Sequence, residues 1–201
     1  GSGLGCWVGC LFFFGSCYDL LVQLAFGNFR DLLKDVTLHP AMGKYLSLMG
    51  SKKSDVEKGR FPDENYAREV MQLFTLGLYQ LNVDGSVKVA NGEPIPSYSQ
   101  SDVEELARIL TGWTRSEKAL VNPMRNTGKQ HDFESKRFLG HRFKQGQIPQ
   151  EDLNQALDIL FHHPNLPPHF SRLMIQRLTK SNPSRAYIQR VAQIFKDNGL
   201  G

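Results

Sequence analysis

The clearest pattern of apolar and polar positions falls in Pro62–Gly77, PDENYAREVMQLFTLG. Its helical period predicts a helix with its own boundaries. Pro62 and Asp63 supply a first-turn proline and a capping carboxylate, and Gly77 a left-handed stop. Tyr66, Ala67, Val70, Met71, Leu73, Phe74 and Leu76 cover well over half the circumference, which assigns this helix to a domain interior. Arg68, Gln72 and Thr75 share a narrow polar face. Glu69 does not join them, because its direction falls between those of Leu73 and Leu76. A carboxylate at that apolar edge must find a partner, bind something or change its pKa.

The same periodicity recurs along the chain. Tyr18–Phe26 is apolar up to Gly27, and Asn28 is placed to cap a helix running through Phe29, Leu32, Leu33 and Val36 to the stop at His39-Pro40. Ala41–Met49 predicts a short helix before the polar loop Gly50–Arg60. Beyond the central helix, alternation switches to period two. Tyr79–Val83 and Ser86–Ala90 flank Asp84-Gly85, which predicts a hairpin closed by a type I′ turn. Ser101-x-x-Glu104 reads as a capping box before Val103, Leu106, Ala107, Leu110 and Trp113. No period is visible over 114–148, and loops of that length are more often functional or mobile than idle. Three more helices follow over Gln150–His162, Pro167–Lys180 and Pro183–Asn198, the last capped by Asn182 and stopped by Gly199. The pattern predicts a mainly α, irregular multi-helix domain with one small β-hairpin (about 79–90) and a long basic loop (about 114–148).

Composition changes this picture in two places. The chain of 201 residues is 40% hydrophobic and 22% charged, enough apolar material for one domain with a core. Its net charge of +4 is local. Arg115, Lys118, Arg125, Lys129, Lys136, Arg137, Arg142 and Lys144 face only Glu117, Asp132 and Glu134, so 115–144 carries +5 and the remainder −1. Such a segment suits an anionic partner, and its plainer reading is a solvated loop. The second place is residues 1–17, GSGLGCWVGCLFFFGSC. They are rich in glycine and hold all three cysteines. Their apolar run is too short to span a membrane. With no basic region before it and no initial Met, it is not a convincing signal peptide, and we set it apart as a leader foreign to the domain. Three cysteines at one end make no disulfide framework, and no zinc spacing occurs.

Four stretches together resemble one family. FGNFRDLLKDVTLHPAMGKYLSLMG, PDENYAREVMQLFTLGLYQLN, DVEELARILTGWT and HPNLPPHFSRLMIQRLTKSNPSRAYIQRVAQIFKDNG are similar to the bacterial family catalogued as domain of unknown function 1800, over about residues 18–201. Members are longer at both ends, so the resemblance implies that 18–201 is an internal fragment forming a single helical domain. It also implies an exported or envelope-associated protein, hence a periplasmic or extracellular location, and frequent encoding beside a sulfatase-like partner. It brings no accepted reaction. Its recurrent motifs fall on Asn65–Glu69, on Leu110–Trp113 and on Phe138-Leu139-Gly140. In the loop, His131, Asp132 and Lys136 fit the family pattern, while Glu134 stands where glycine is usual.

Two groups of residues offer chemistry. Glu69 with Arg68 is either a half-buried acid or base beside an anion-holding guanidinium, or a structural ion pair, and Asn65 one turn earlier is placed to hold the Glu69 carboxylate. His131-Asp132 offers a proton-transfer pair, though no further ligand at helical spacing stands nearby and no metal is assigned. Trp113 is a candidate for stacking on a sugar ring or for the core. With no G-x-S-x-G, P-loop, Rossmann or HExxH motif, the commonest hydrolase, nucleotide and zinc-protease readings fall away, and no cofactor is implied. No nucleic-acid-binding module is recognisable. The expectation is an accessory domain binding an acidic or sulfated polysaccharide, or a partner protein, through Arg68, Asn65, Trp113, Lys136 and Arg137. The alternative is a hydrolase or lyase on such polymers using Glu69, His131 and Asp132, and it requires those three on one open cleft.

Overall fold

The computed structural model describes residues 15–116 and 122–197. Among them the fold is mainly α, with three two-stranded antiparallel sheets. Residues 15–23 form helix α1, which runs across residue 17, so the expected leader boundary is not a break in structure. Residues 1–14 of that leader, 117–121 of the basic segment and the Gly199 stop lie outside the described residues. Helix α2 spans Phe29–Leu38, with the Asn28 side chain accepting from the N–H groups of Arg30 and Asp31 as expected. Helix α3 (Pro40–Tyr45) follows at once, and the His39 ring caps it.

The central helix differs from its sequence pattern at both ends. It opens as α4 at Asn65–Glu69, later than Pro62, because Asp63 Oδ1 accepts from Asn65 N (2.9 Å) in a local turn. Val70–Thr75 then winds as a π-helix, in which Thr75 Oγ1 donates to Val70 O. Wider turns of this kind recur at functional sites, and here the winding leaves Leu73 half exposed. Gly77 does end the helix with φ +73°, and a Cβ there would meet His169 Nδ1 at 2.7 Å.

The segment after it is more pleated than one hairpin. Residue pairs Tyr79/Pro96 and Leu81/Val87 bridge, while β1 (Val89–Ala90) pairs with β2 (Glu93–Pro94). The two consecutive positive φ angles of a type I′ turn fall on Asn91-Gly92, not on Asp84-Gly85. At the expected turn only Gly85 is left-handed. Asn82 N donates to Ser86 O, and Gly85 N to Asn82 O. This is a three-residue loop with a glycine bulge, which uses one positive φ where I′ needs two.

Helix α5 (Gln100–Ile109) is capped by Ser99 with Asp102, two residues before the Ser101/Glu104 box. Both pairs have the same spacing. The earlier one prevails because Asp102 also receives Leu139 N on its second oxygen (2.9 Å). The region 114–148, read as a loop, contains β3 (Trp113–Thr114) paired with β4 (Arg125–Asn126), and the hairpin β5 (Lys136–Phe138)–β6 (His141–Phe143). Helices α6 (Pro149–Phe161), α7 (Leu166–Leu178) and α8 (Arg185–Asp197) complete the described chain. In α8 the Ser184 side chain, not Asn182, accepts from Tyr187 N. The buried stripe is Ile188 and Ala192, leaving Ile194 exposed.

One core unites these elements. Tyr66, Val70, Met71 and Leu76 of the central helix meet Val103, Leu106, Phe138, Phe143, Leu153 and Leu160. Helix α2 is tied to α6 by the Arg30–Asp158 ion pair (2.7 Å), and α7 packs on α8. Phe29, Phe170 and Phe195 cluster where α2, α7 and α8 meet, with the first two ring centroids 4.3 Å apart.

Candidate functional site

The recurrent motifs at Leu110–Trp113 and His131-Asp132 form one structure. Gly112 turns with φ +91° directly against the 126–131 strand and loop: a Cβ there would meet the Asn126 amide at 2.8 Å and His131 N at 3.0 Å. Buried Thr111 is the hub. Its hydroxyl donates to Arg108 O (2.7 Å) and accepts from Asp132 N (2.9 Å). Its carbonyl accepts from His131 Nδ1–H (3.0 Å) and from Asn126 Nδ2 (2.9 Å).

From that hub His131 points inward. Its Nε2 lies 3.1 Å from Asp152 Oδ2 on α6, and Lys136 Nζ of β5 reaches the same oxygen at 2.7 Å. All three side chains are fully buried. Lys136 Nζ also donates to the Asp132 and Glu134 carbonyls, so its three N–H groups are all engaged. Among the described residues Asp152 Oδ1 has no partner. A pair so deeply buried gains its attraction against a large desolvation cost, and removing one member leaves the other uncompensated.

Asp132 turns the other way. Arg108 clasps it at 2.8 and 3.4 Å, and Glu134 N donates to it. Burial alone would raise the Asp132 carboxyl. The Arg108 and Glu134 hydrogen bonds, with the charges of Arg108 and Lys136, outweigh that and hold it below the usual carboxylate range. Arg108 is in turn paired with Glu105 at 2.6 Å.

The predicted residues thus separate. His131 and Asp132 meet at Thr111, but His131 has no exposed surface. Glu69 is half-buried at the end of α4, and among the described residues no hydrogen bond or ion pair joins it to His131 or Asp132. The open cleft required by the acid/base reading is therefore missing from the His131 side. Arg68 pairs with Glu64 (2.9 Å) and bonds Gln100, not Glu69, and Asn65 does not bond the Glu69 carboxylate. Trp113 is only 3% exposed and lies in the core, away from any sugar. Lys136, expected on the binding surface, is the buried cation just described, drawn inward because β5 alternates and Asp152 waits on α6.

Arg137 does face outward. The β5–β6 register sets it directly opposite Arg142, both exposed. Residues so placed have Cβ atoms roughly 4.5–5.5 Å apart, and like charges there are destabilising. The hairpin turn is Leu139-Gly140, with φ of +47° and +81°, an αL pair in which the leucine is unusual. Asp102 fixes that turn by accepting Leu139 N, and Glu105 accepts Arg137 N (2.7 Å). A groove of about 790 Å³ between α5 and the hairpin results, lined among others by Arg108, Arg137 and Arg142. Its carboxylates, Asp102 and Glu105, are committed to the protein's own donors. Neither the Arg137 nor the Arg142 guanidinium has a partner among the described residues.

Sequence reasoning missed Asp152 and Arg142. Asp152 was detectable by the reasoning applied to Glu69, since it lies one turn before Ala156 on the stripe completed by Leu153, Leu157 and Leu160. Arg142 was detectable from KRF-LG-HRF, two short runs flanking a turn glycine. No group of three or more His, Cys, Asp or Glu among the described residues is arranged to hold a metal ion.

Fold and groove together define a helical domain with a sealed ionic centre and an outward arginine pair on a small hairpin. The chain belongs to the family described as Protein of unknown function (DUF1800), whose model matches residues 12–200 and so begins inside the 1–17 stretch. No curated protein and no solved structure matches the chain.

Proposed function

We propose that the groove between α5 and the β5–β6 hairpin binds an anionic partner, an acidic or sulfated polysaccharide, making this an accessory binding domain. The observation that carries the reading is the Arg137/Arg142 cross-strand pair. Two cations directly opposite each other repel, and an anion bridging them removes the repulsion and supplies charge-assisted hydrogen bonds to both. The strained Leu139, held by Asp102, supports it further, since such strain persists where a geometry is over-determined by its surroundings. The setting we propose is the bacterial envelope or exterior, where a sulfatase-like partner would meet the same polymers. No helix among the described residues is long and apolar enough to cross a membrane.

The test is affinity for a sulfated polysaccharide such as heparin against neutral dextran across a salt series. The intact protein is expected to bind the former in a salt-sensitive manner, and Arg137→Ala with Arg142→Ala to abolish most of that binding. Absence of measurable binding by the intact protein sinks the proposal. So does binding unchanged in the double variant.

A further inference from the structure

A second cleft lies elsewhere, between the 81–88 hairpin, the α6–α7 junction and α8. Its volume is about 500 Å³, within the range of small-molecule sites. Val83, Phe161, Pro167 and Phe195 wall it with apolar surface. Asn82, Lys88, Lys196 and the His162 and His163 rings supply its polar groups, and among the described residues no carboxylate lines it. Neither lysine has an ion-pair partner among the described residues.

The cleft is held open by the fold itself. Buried Asn165 accepts from Leu81 N (2.9 Å) and donates to Leu76 O and Tyr79 O (3.0 and 2.8 Å), pinning the hairpin base to the α6–α7 turn. At the other end, a Cβ on Gly85 would meet Ile188 Cγ2 at 3.1 Å, so the hairpin tip sits hard against α8. Walls fixed in this way need little ordering when a ligand enters.

The imidazole hydrogen bonds define what the rim offers. His163 Nδ1 accepts from Asn165 N (3.1 Å), so its neutral ring carries the proton on Nε2, a donor with no partner among the described residues. Burial, then the nearby charge of Lys88, holds the His163 pKa below the ordinary histidine value and keeps that neutral form. His162 Nδ1–H donates to Asp158 O (2.8 Å). The first two residues of α7 that face this space, Pro167 and Pro168, have no backbone N–H, so an anion here is held by side chains.

We infer that this cleft binds a small amphipathic carboxylate, its apolar body between Val83, Phe161 and Phe195 and its carboxylate at Lys88 and the His163 Nε2–H. Apolar walls and two ammonium groups, with no opposing acid among the described residues, fit that class and disfavour cations and sugars. The site is separate from the arginine groove and does not depend on it.

The test is titration of the full chain with octanoate and with octanol, followed by calorimetry and amide chemical shifts. Saturable binding of octanoate is expected, with shifts at Val83, Lys88 and His163. Octanol should bind roughly tenfold or more weakly, as expected for loss of a charge-assisted contact. Lys88→Glu should weaken octanoate by a similar factor, with the circular dichroism spectrum unchanged because Lys88 is a rim residue. Val83→Trp should block the cleft to both. No saturable octanoate binding overturns the inference, as does equal binding of octanol. A Lys88→Glu variant that binds as the parent does also overturns it.

Discussion

Two cations that are neighbours in sequence, Lys136 and Arg137, do opposite things. Lys136 turns inward to Asp152 at 2.7 Å in a site with no exposure, and Arg137 turns outward to stand across from Arg142. The alternation of one short strand produces the difference, since successive side chains of a strand point to opposite faces. The basic character of 115–144 is therefore not one surface. Part of it is interior electrostatics that hold the loop to α6. Only the remainder is available to a partner.

The comparison is tested first at its inner half. Asp152→Ala leaves Lys136 and His131 buried without their carboxylate, and the loss should be about 3–5 kcal/mol by urea denaturation. A loss under about 1 kcal/mol would mean water reaches the site and the contrast between the two faces is false. Next is the turn that lets His131 reach inward. Gly112→Ala forces alanine to φ +91° and against Asn126 and His131 N, which should remove about 2–3 kcal/mol, combining left-handed backbone cost with a steric shift.

Asp132 lies between the two faces, and its contribution follows pH. Its folded-state pKa is depressed below the unfolded value of roughly 3.9, so its stabilisation is complete above that value and lost as pH falls through the folded pKa. Asp132→Asn should cost about 1–3 kcal/mol near neutral pH. The gap between variant and parent should close as pH drops below about 4. A gap that stays constant with pH would show that the Arg108 contact acts through shape and not charge.

Much of the fold was legible in the sequence because its helices are amphipathic and their stops are local: Asn28 caps α2, His39-Pro40 ends it, and Gly77 ends the central helix. What was not legible depended on distant partners. Ser99-Asp102 and Ser101-Glu104 are equivalent boxes until Leu139 N, on another element, selects Asp102. The π-helical winding of Val70–Thr75 has no residue signature. The candidate site divided in the same way. His131-Asp132 and Arg137 were visible as residue types, but the inward turn of His131 depends on Gly112 and Thr111 from another element, and the outward turn of Arg137 on a strand too short to show a period. Helical periodicity puts the Glu69 carboxylate at an apolar edge, yet the fully buried carboxylate is Asp152, on the α6 stripe of Leu153, Ala156, Leu157 and Leu160.

The smallest expected effect discriminates best between the two halves. Arg142→Glu converts a like-charge cross-strand pair into an attractive one, so it should stabilise the hairpin by roughly 0.2–1 kcal/mol while weakening polyanion binding. Gain of stability with loss of binding is the signature of a residue kept for a ligand at the expense of the fold. A substitution that merely damaged structure would lower both. If instead Arg142→Glu destabilises the protein, Arg142 has a structural partner, and the outward face is a second scaffold like the inward one. If stability rises and binding is retained, the repulsion is real but the anion sits elsewhere on the basic segment, and Arg125, Lys129 and Lys144 are the next residues to change.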